Sequence, residues 1–529
     1  MKKSVYFLYS ICGILLALPM IVGELWILGW IMLIPVLYLE YSAKYEGKHQ
    51  ILKSWLRGFI FYYSYSLITF YWFVELYPLD FTGLSPSGAL AVIIAAWFGL
   101  PLLQAVPFAF FVVLLSIYCR KSKKKYAFPV LAAALWVTFE WVQTLTWAGV
   151  PWGKLALGQT SNLANVQSAS LLGAYFVAFL MIMTSALIAV AIYEIKACNK
   201  KASLLCILFA LVIFVSNNLY GNVRLLNTPK GGNTIKVSAV QANISSDDKW
   251  SNDVIYTLET YENLTAEAVK CNPDIVIWPE SALPYSSNLE GSAAEYISRI
   301  NTDYGVDLIV GTFYETKDDL YNVTVYVDAD EAMFSEMYAK RKLVPFGEFV
   351  PMRNIISVIY PPLSDLSVLS EDITAGKDSD LFETDHGRIG SLICFDSIYE
   401  SVVRDTVKDG AELLCISTND SWFHDSSAVY EHNNHAVLRS IENGRYTVRC
   451  ANTGISSIIT DRGTVTHMLE PLKQGVLSGN VKLLKYTTLY TAVGNLLVWI
   501  CIAYSTVQIA YTVIKDINNG YTHRQRKRR

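Results

Sequence analysis

The chain has 529 residues, 53% of them apolar, with 43 Lys plus Arg against 46 Asp plus Glu, which is too long and too apolar for one ordinary soluble domain. Charge divides it: residues 1–220 hold 7 acidic and 15 basic residues, net +8, whereas residues 221–514 hold 38 acidic and 22 basic, net −16. The acidic part repels phosphates, which excludes nucleic acid as a partner, and nine cysteines with no CxxC pair argue against a zinc site or a dense disulfide framework.

Apolar runs near bilayer-spanning length lie at 5–22, 25–39, 58–74, 88–118, 126–147, 166–192, 204–220 and 487–514, and predict eight spans. The run 25–39 is short and hard against its neighbour, so a re-entrant half-span also fits it. Pro101 and Pro107 are expected to kink or split the fourth run. Basic residues fall on alternate connections: Lys2 and Lys3; Lys44, Lys48, Lys53 and Arg57; 120–125; Lys196, Lys200 and Lys201; and 524–529, with Lys154 alone on the others. Positive clusters stay cytoplasmic. Both termini are therefore expected on the cytoplasmic side of the cell membrane, with the long segment after the seventh span on its outer face. A cleavable signal peptide fits poorly, because no small-x-small site follows the first run and further spans come at once. The closing HRQRKRR reads as an orientation signal and lipid-surface anchor. The expected organisation is a membrane domain at 1–220 with about seven transmembrane helices, an extracytoplasmic domain at 221–485, a last transmembrane helix at 486–514 and a basic cytoplasmic tail at 515–529.

From about 234 to 484, short β-branched runs alternate with polar helical ones, the mark of an α/β layer architecture. Predicted strands are 235–241, 275–278, 308–313, 322–327, 389–394, 413–417, 447–451 and 456–460. Predicted helices are 252–270, 293–302, 399–408 and 430–444. Pro345, Gly347, Pro351, Pro361 and Pro362 mark a long irregular stretch before the strand that ends at Cys394. Its run of Ile355, Ile356, Val358, Ile359, Tyr360, Leu363, Leu366, Val368 and Leu369 is too apolar for disorder and fits a lipid-contacting lid or a satellite core.

Three polar residues stand at strand ends, where open α/β sheets collect their ligands. Glu280 follows the apolar DIVIW in WPES, Lys340 precedes a turn-rich segment, and Cys394 ends GRIGSLIC. Singly, each has a plainer reading as a solvated carboxylate, a surface charge or a core thiol. Together they are the parts of a cysteine acyl transfer: a nucleophile, a base for its proton and a cation for the oxyanion. Cys415 and Cys450 lack an acid-bearing segment after them and read as core thiols. The sequons at Asn243, Asn263, Asn322 and Asn419 recur by chance in so long a chain and receive no function.

WPES at 278–281, KxxLVPFGEFVP at 340–351 and ICFD at 393–396 resemble the three motifs of the carbon-nitrogen hydrolase (nitrilase) superfamily in order and spacing. With VQANI at 240–244, NDSWF at 419–423, HAVLRSIENGR followed by ANTGISSI, and the flanking spans, the chain more narrowly resembles that superfamily's membrane branch, the apolipoprotein N-acyltransferases. The resemblance covers nearly the whole chain and is strongest from about 237 to 463. It implies a nitrilase-like αββα sandwich beside a multi-span helical membrane domain. It also implies a two-step transfer of a fatty acyl chain from a membrane phospholipid, through a thioester, to the amine of a lipoprotein's diacylglyceryl-cysteine. Carried over residue by residue, Cys394 is the nucleophile, Glu280 the base and Lys340 the oxyanion cation. Glu348 is the second carboxylate, and Trp250 and Trp422 match tryptophans near the substrate entrance. The family commonly has Glu after an aromatic residue behind the nucleophile; here Phe395 is followed by Asp396, one methylene shorter, which puts its role in doubt. The reading needs no metal and no nucleotide cofactor, since Gly231 and Gly232 form no phosphate loop and no histidines have ligand spacing. It expects a monomer in the bilayer whose 355–369 loop keeps water from the thioester. A membrane-tethered amidase using the same three residues on a small amide is the alternative, and a non-catalytic lipid-binding or transport protein the third.

Overall fold

The computed structural model describes residues 3–43, 49–79, 84–122, 125–229, 231–245, 254–283, 286–287, 292–330, 334–359 and 372–528. Trp250 and most of the apolar 355–369 run lie outside the described residues. The chain divides into two compact units, Met1–Tyr71 with Ala95–Asn227 and Val493–Arg529, and Trp72–Ile94 with Thr228–Ala492.

The first unit is helical. Among the described residues, six helical stretches are long and apolar enough to cross a bilayer: Lys3–Ile21, Gly23–Ser42, Pro86–Lys121, Ala174–Lys196, Lys200–Leu226 and Leu496–Asn518. The other two predicted spans are helices too, Gln50–Thr69 and the shorter apolar Phe128–Val142. The second stretch is broken, with a 3₁₀ turn at Gly23–Leu25 and short helices at Leu28–Ile31 and Ile34–Ser42. Pro101 and Pro107 do not split the fourth; both sit inside one 36-residue helix. The buried acidic groups Glu40 and Glu140 find partners, as apolar surroundings require of a charge. Arg57 donates to both oxygens of Glu40, at 2.8 and 3.1 Å, and Tyr9 donates to the same carboxylate. Glu140, whose charge demands a partner at this depth, accepts the Leu155 N–H at 2.8 Å. Gly13 lets two helices meet backbone to backbone, because a Cβ there would lie 2.2 Å from the Phe61 carbonyl oxygen.

The second unit contains two stacked sheets. The strands are β1 Thr234–Gln241, β2 Ile275–Ile277, β3 Ser286–Ser287, β4 Asp307–Glu315, β5 Leu320–Val327, β6 Phe334–Ala339, β7 Leu381–Thr384, β8 Gly387–Ile393, β9 Leu413–Thr418, β10 Tyr446–Ala451, β11 Ser456–Ile459, β12 Val465–Leu469 and β13 Gly475–Lys482. One sheet runs β13-β1-β2-β4-β5-β6 with β3 beside β4; the other runs β12-β11-β10-β9-β8-β7. Each has a parallel centre, β1-β2-β4 and β8-β9-β10. Parallel neighbours need crossovers, and the helices Val254–Ala268, Ser292–Tyr304, Glu400–Lys408 and Ser427–Asn443 supply them.

The two-residue period of a strand decides which side chains face which layer. In β2, Ile275 and Ile277 join Ile389, Ile393, Leu413, Cys415 and Val448 in the core between the sheets. Val276 and the following Trp278 point the other way, into a second core with Leu258, Tyr261, Leu264, Ile297 and Ile300 of the covering helices. Thr324 and Ser391 face each other across the two sheets, their hydroxyls 2.6 Å apart. The αββα sandwich read from the resemblance is thus the architecture of this unit.

Five strands, β3, β6, β7, β12 and β13, escape the sequence reading. β6 and β7 fall inside the stretch expected to be irregular; both are short strands at sheet ends, where a weak pattern suffices. β12 is almost wholly exposed, and β13, with two glycines, carries little β signal of its own. Pairing with β1 over eight residues, Thr234↔Lys482 to Gln241↔Gly475, supplies what propensity does not. The strand expected to end on Cys394 stops at Ile393, and Cys394 opens a 3₁₀ turn, Cys394–Ile398.

Candidate active site

Glu280 emerges just beyond β2. Trp278 N–H donates to the Ile309 carbonyl at 2.7 Å, Pro279 stiffens the exit, and Ser281 sits at φ +45°. β4 passes so close that a Cβ on Gly311 would lie 2.2 Å from the Pro279 carbonyl oxygen, so glycine is required there. Lys340 follows β6 and is 1% exposed at its side chain. Its Nζ donates to Glu280 Oε1 at 2.8 Å and to Glu348 Oε1 at 2.9 Å.

Asn322 Nδ2 bridges the same two oxygens, at 2.8 and 2.9 Å. Backbone N–H groups hold the outer oxygens, Asn419 on Glu280 Oε2 at 2.9 Å and Val344 on Glu348 Oε2 at 2.8 Å. Both carboxylates are therefore fixed by a cation, an amide and a main-chain donor. Burial works against the Lys340 ammonium, but Glu280 and Glu348 together outweigh it and hold its pKa well above the ordinary lysine range.

Cys394 adopts φ +47°, a conformation that L residues other than Asn and Asp seldom take, at the start of the turn beyond β8. Burial, and next the Glu280 charge, push its thiol well above the ordinary cysteine range; Lys340 and the Thr418 hydroxyl act the other way. The resting group is then a thiol, and a base must take its proton during attack. Alkylation of Cys394 is accordingly expected to keep accelerating as pH rises through 9, because the thiolate fraction has not saturated. Mass-spectrometric alkylation rates from pH 6 to 10 check this, and a plateau near pH 8 contradicts it.

Asp396 is fully buried. Its Oδ1 accepts the Lys342 N–H at 2.7 Å and the Arg341 N–H at 3.2 Å; its Oδ2 accepts the Tyr338 hydroxyl at 2.8 Å and the Ile393 N–H at 3.2 Å. The shorter side chain thus ties the cysteine turn to the residues next to Lys340. Burial pushes its pKa up to about 6, against the Lys340 charge and these donors. The native state then holds this proton more tightly than the unfolded chain does, so the contribution of Asp396 to stability falls as pH rises from about 4 to about 6. Asp396→Asn keeps an oxygen toward the Arg341 and Lys342 N–H groups but turns its NH2 toward the Ile393 N–H, and is expected to cost about 1–3 kcal/mol. The deficit should be larger near pH 4.5 than at pH 7.5, read from thermal midpoints of both proteins.

Trp422 is partly exposed in the short turn Ser421–Phe423. The ring of its neighbour Phe423 meets Trp72 edge-on, centroids 4.9 Å apart. Among the residues expected at the site, the structure joins Glu280, Lys340 and Glu348 by hydrogen bonds, sets Cys394 within their electrostatic reach, and anchors Asp396 one turn away. Asn322, Thr418 and Asn419 belong to it as well; the sequence reading noticed two of them only as sequons, though both stand beside strand ends. Donor atoms of Cys394, Asp420 and His432 lie within 4.8 Å of one another. A cation there would face the Arg449 guanidinium, 2.6 Å from Asp420, so the trio reads as a hydrogen-bonded network.

The sandwich with its cysteine turn defines the carbon-nitrogen hydrolase class, and residues 236–489 match the carbon-nitrogen hydrolase family. Residues 12–187 match the apolipoprotein N-acyltransferase N-terminal domain. The chain is similar to the apolipoprotein N-acyltransferase of Geobacter metallireducens, 32% identical over 392 residues and covering 73% of each chain. It is also similar to those of Gloeobacter violaceus, 29% identical over 89% of this chain and 86% of that one, and Thermotoga maritima, 28% identical over 97% and 95%. The chain belongs to the apolipoprotein N-acyltransferase family. It is a multi-pass membrane N-acyltransferase, and the small-amide hydrolase alternative is not favoured.

Proposed function

We propose that this N-acyltransferase acts on lipoproteins through Cys394, with Glu280 as general base and Lys340 as the oxyanion cation. The observation that carries the assignment is the buried Lys340 ammonium held between the Glu280 and Glu348 carboxylates, within electrostatic reach of the Cys394 thiol.

In the first step the sulfur attacks the ester carbonyl of a phospholipid while Glu280 takes the thiol proton. Lys340 steadies the oxyanion, and the lysophospholipid alkoxide leaves with that proton. In the second, the free amine of a diacylglyceryl-cysteine attacks the thioester, gives a proton to Glu280, and leaves as an amide while the thiol re-forms. Glu348 keeps Lys340 aligned through both. Asp396 positions the cysteine turn against the lysine segment. Trp250 and Trp422 line the substrate entrance, and the apolar 355–369 segment keeps water from the thioester.

The alternation of basic clusters supports both termini in the cytoplasm, eight spans, and a catalytic unit on the outer face of the inner membrane, where both substrates are lipid-anchored. Confinement to one thin layer raises the effective concentration of enzyme and substrates. The protein acts as a monomer. Intact-mass spectrometry of the detergent-purified protein with phospholipid alone tests the reading. A fatty-acyl adduct on Cys394, discharged onto a diacylglyceryl-cysteine peptide and absent in Cys394→Ala, is expected. No adduct, with Cys394-dependent hydrolysis of a small amide, overturns it.

A further inference from the structure

Behind Cys394 lies a buried chain of polar groups that no step above uses. Arg449 and Asp420 are fully buried and His432 is 1% exposed. Arg449 Nη2 lies 2.6 Å from Asp420 Oδ2 and 3.0 Å from His432 Nδ1; Asp420 Oδ1 lies 2.9 Å from the same ring nitrogen. The other ring nitrogen, Nε2, is 3.2 Å from the Cys394 carbonyl oxygen and 3.1 Å from Ser397 Oγ.

Ser397 spends its own hydroxyl hydrogen on that carbonyl, at 2.7 Å, so Oγ turns a lone pair to the imidazole. Both neighbours of Nε2 are acceptors, and Nε2 therefore carries a hydrogen. Space for the network is reserved at Gly454, where a Cβ would stand 2.2 Å from Asp420 Oδ2. The carbonyl so gripped belongs to the one residue of the Glu-Lys-Cys set that stands at positive φ. A backbone in that region persists only when its surroundings over-determine it.

We propose that His432, oriented by Asp420 and Arg449, is a positioning residue that holds the Cys394 backbone in its strained conformation and so aims the sulfur at the acyl carbonyl. The inference rests on Cys394 being the nucleophile. A misaimed nucleophile loses rate without losing substrate affinity, and a displacement of about 1 Å can cost about 10²-fold.

The test measures thioester formation from phospholipid vesicles by intact mass, with the phospholipid KM and the Cys394 alkylation rate alongside, in the full-length protein. His432→Leu is expected to form thioester about 10²-fold more slowly with KM unchanged and alkylation altered. His432→Gln, whose amide can donate to the same carbonyl, is expected to recover to within about tenfold of wild type. Wild-type rates in His432→Leu overturn the proposal, as does a His432→Gln protein no faster than His432→Leu. Should His432→Leu not fold, Ser397→Ala removes the other donor to the Cys394 carbonyl; a slower thioester step is expected, and an unchanged one overturns the proposal. Failure of the underlying assignment looks different, as an adduct that persists in Cys394→Ala.

Discussion

Lys340→Met is expected to lose both activity and stability. The wild-type ammonium is buried, 2.8 Å from one carboxylate and 2.9 Å from another. With a thioether in its place, Glu280 and Glu348 face each other as like charges in a dry site, sharing Asn322 as a neutral bridge. Breaking a buried ion pair from one side costs about 3–5 kcal/mol, because the remaining charge is left uncompensated. One carboxyl will recover part of that by binding a proton, which removes a base as well as the cation. Losing an oxyanion donor alone is worth about 10²–10³ in rate; with the base compromised, the loss of thioester formation should reach the upper end of that range. Intact-mass kinetics and a thermal melt on the same preparation check both parts. Lys340→Met/Glu348→Gln should regain stability without regaining activity. A single variant that melts like wild type contradicts the buried triad of charges.

Glu280→Gln separates proton transfer from architecture. The amide keeps the side chain's length and its oxygen can still accept from Lys340 and Asn322, but its NH2 then faces the Asn419 N–H, so a stability loss of about 1–3 kcal/mol should accompany the catalytic one. The buried thiol, pushed well above its ordinary range, then has no acceptor for its proton. A positioned base is worth about 10²–10⁴ in rate, and a loss near the middle, about 10³-fold, is expected in thioester formation. Raising pH should restore part of this loss as hydroxide takes the proton directly. Glu348→Gln is expected to cost far less, since Glu348 holds Lys340 and not the thiol proton. Equal losses in the two variants would show that the carboxylates act as a unit, not as base and support.

Much of this site is legible in the amino-acid sequence. Glu280, Lys340 and Cys394 are polar residues at the ends of apolar strands, and their family-like motifs assign them distinct chemistry. The first-sheet centre, β1, β2 and β4, and the second-sheet centre, β8 to β10, were likewise visible, because buried parallel strands are continuous apolar runs. What escaped depends on partners far away in the chain. β13 is a strand because β1 offers it eight residues of ladder. Asn322 looked like a chance sequon because its amide matters only once Glu280 and Glu348 converge on it. The doubt over Asp396 comes from counting methylenes; the bonds to Arg341, Lys342 and Tyr338 that make the shorter acid fit are long-range and cannot be seen from spacing.

Trp72, whose ring meets Phe423, has a consequence for the order of synthesis. The unit that carries the site is assembled from Trp72–Ile94 and Thr228–Ala492, so the ribosome finishes one of its pieces before making the helices of 95–227. β1, the first strand of the sandwich, then pairs with β13, the last, and the sheet cannot close until residue 482 has emerged. Such long-range closure is slow. The edge-on contact of Trp72 with Phe423 must therefore wait while more than half of the protein is still being translated. A fragment begun at residue 228 would be born without the aromatic neighbour of the turn that follows Asn419.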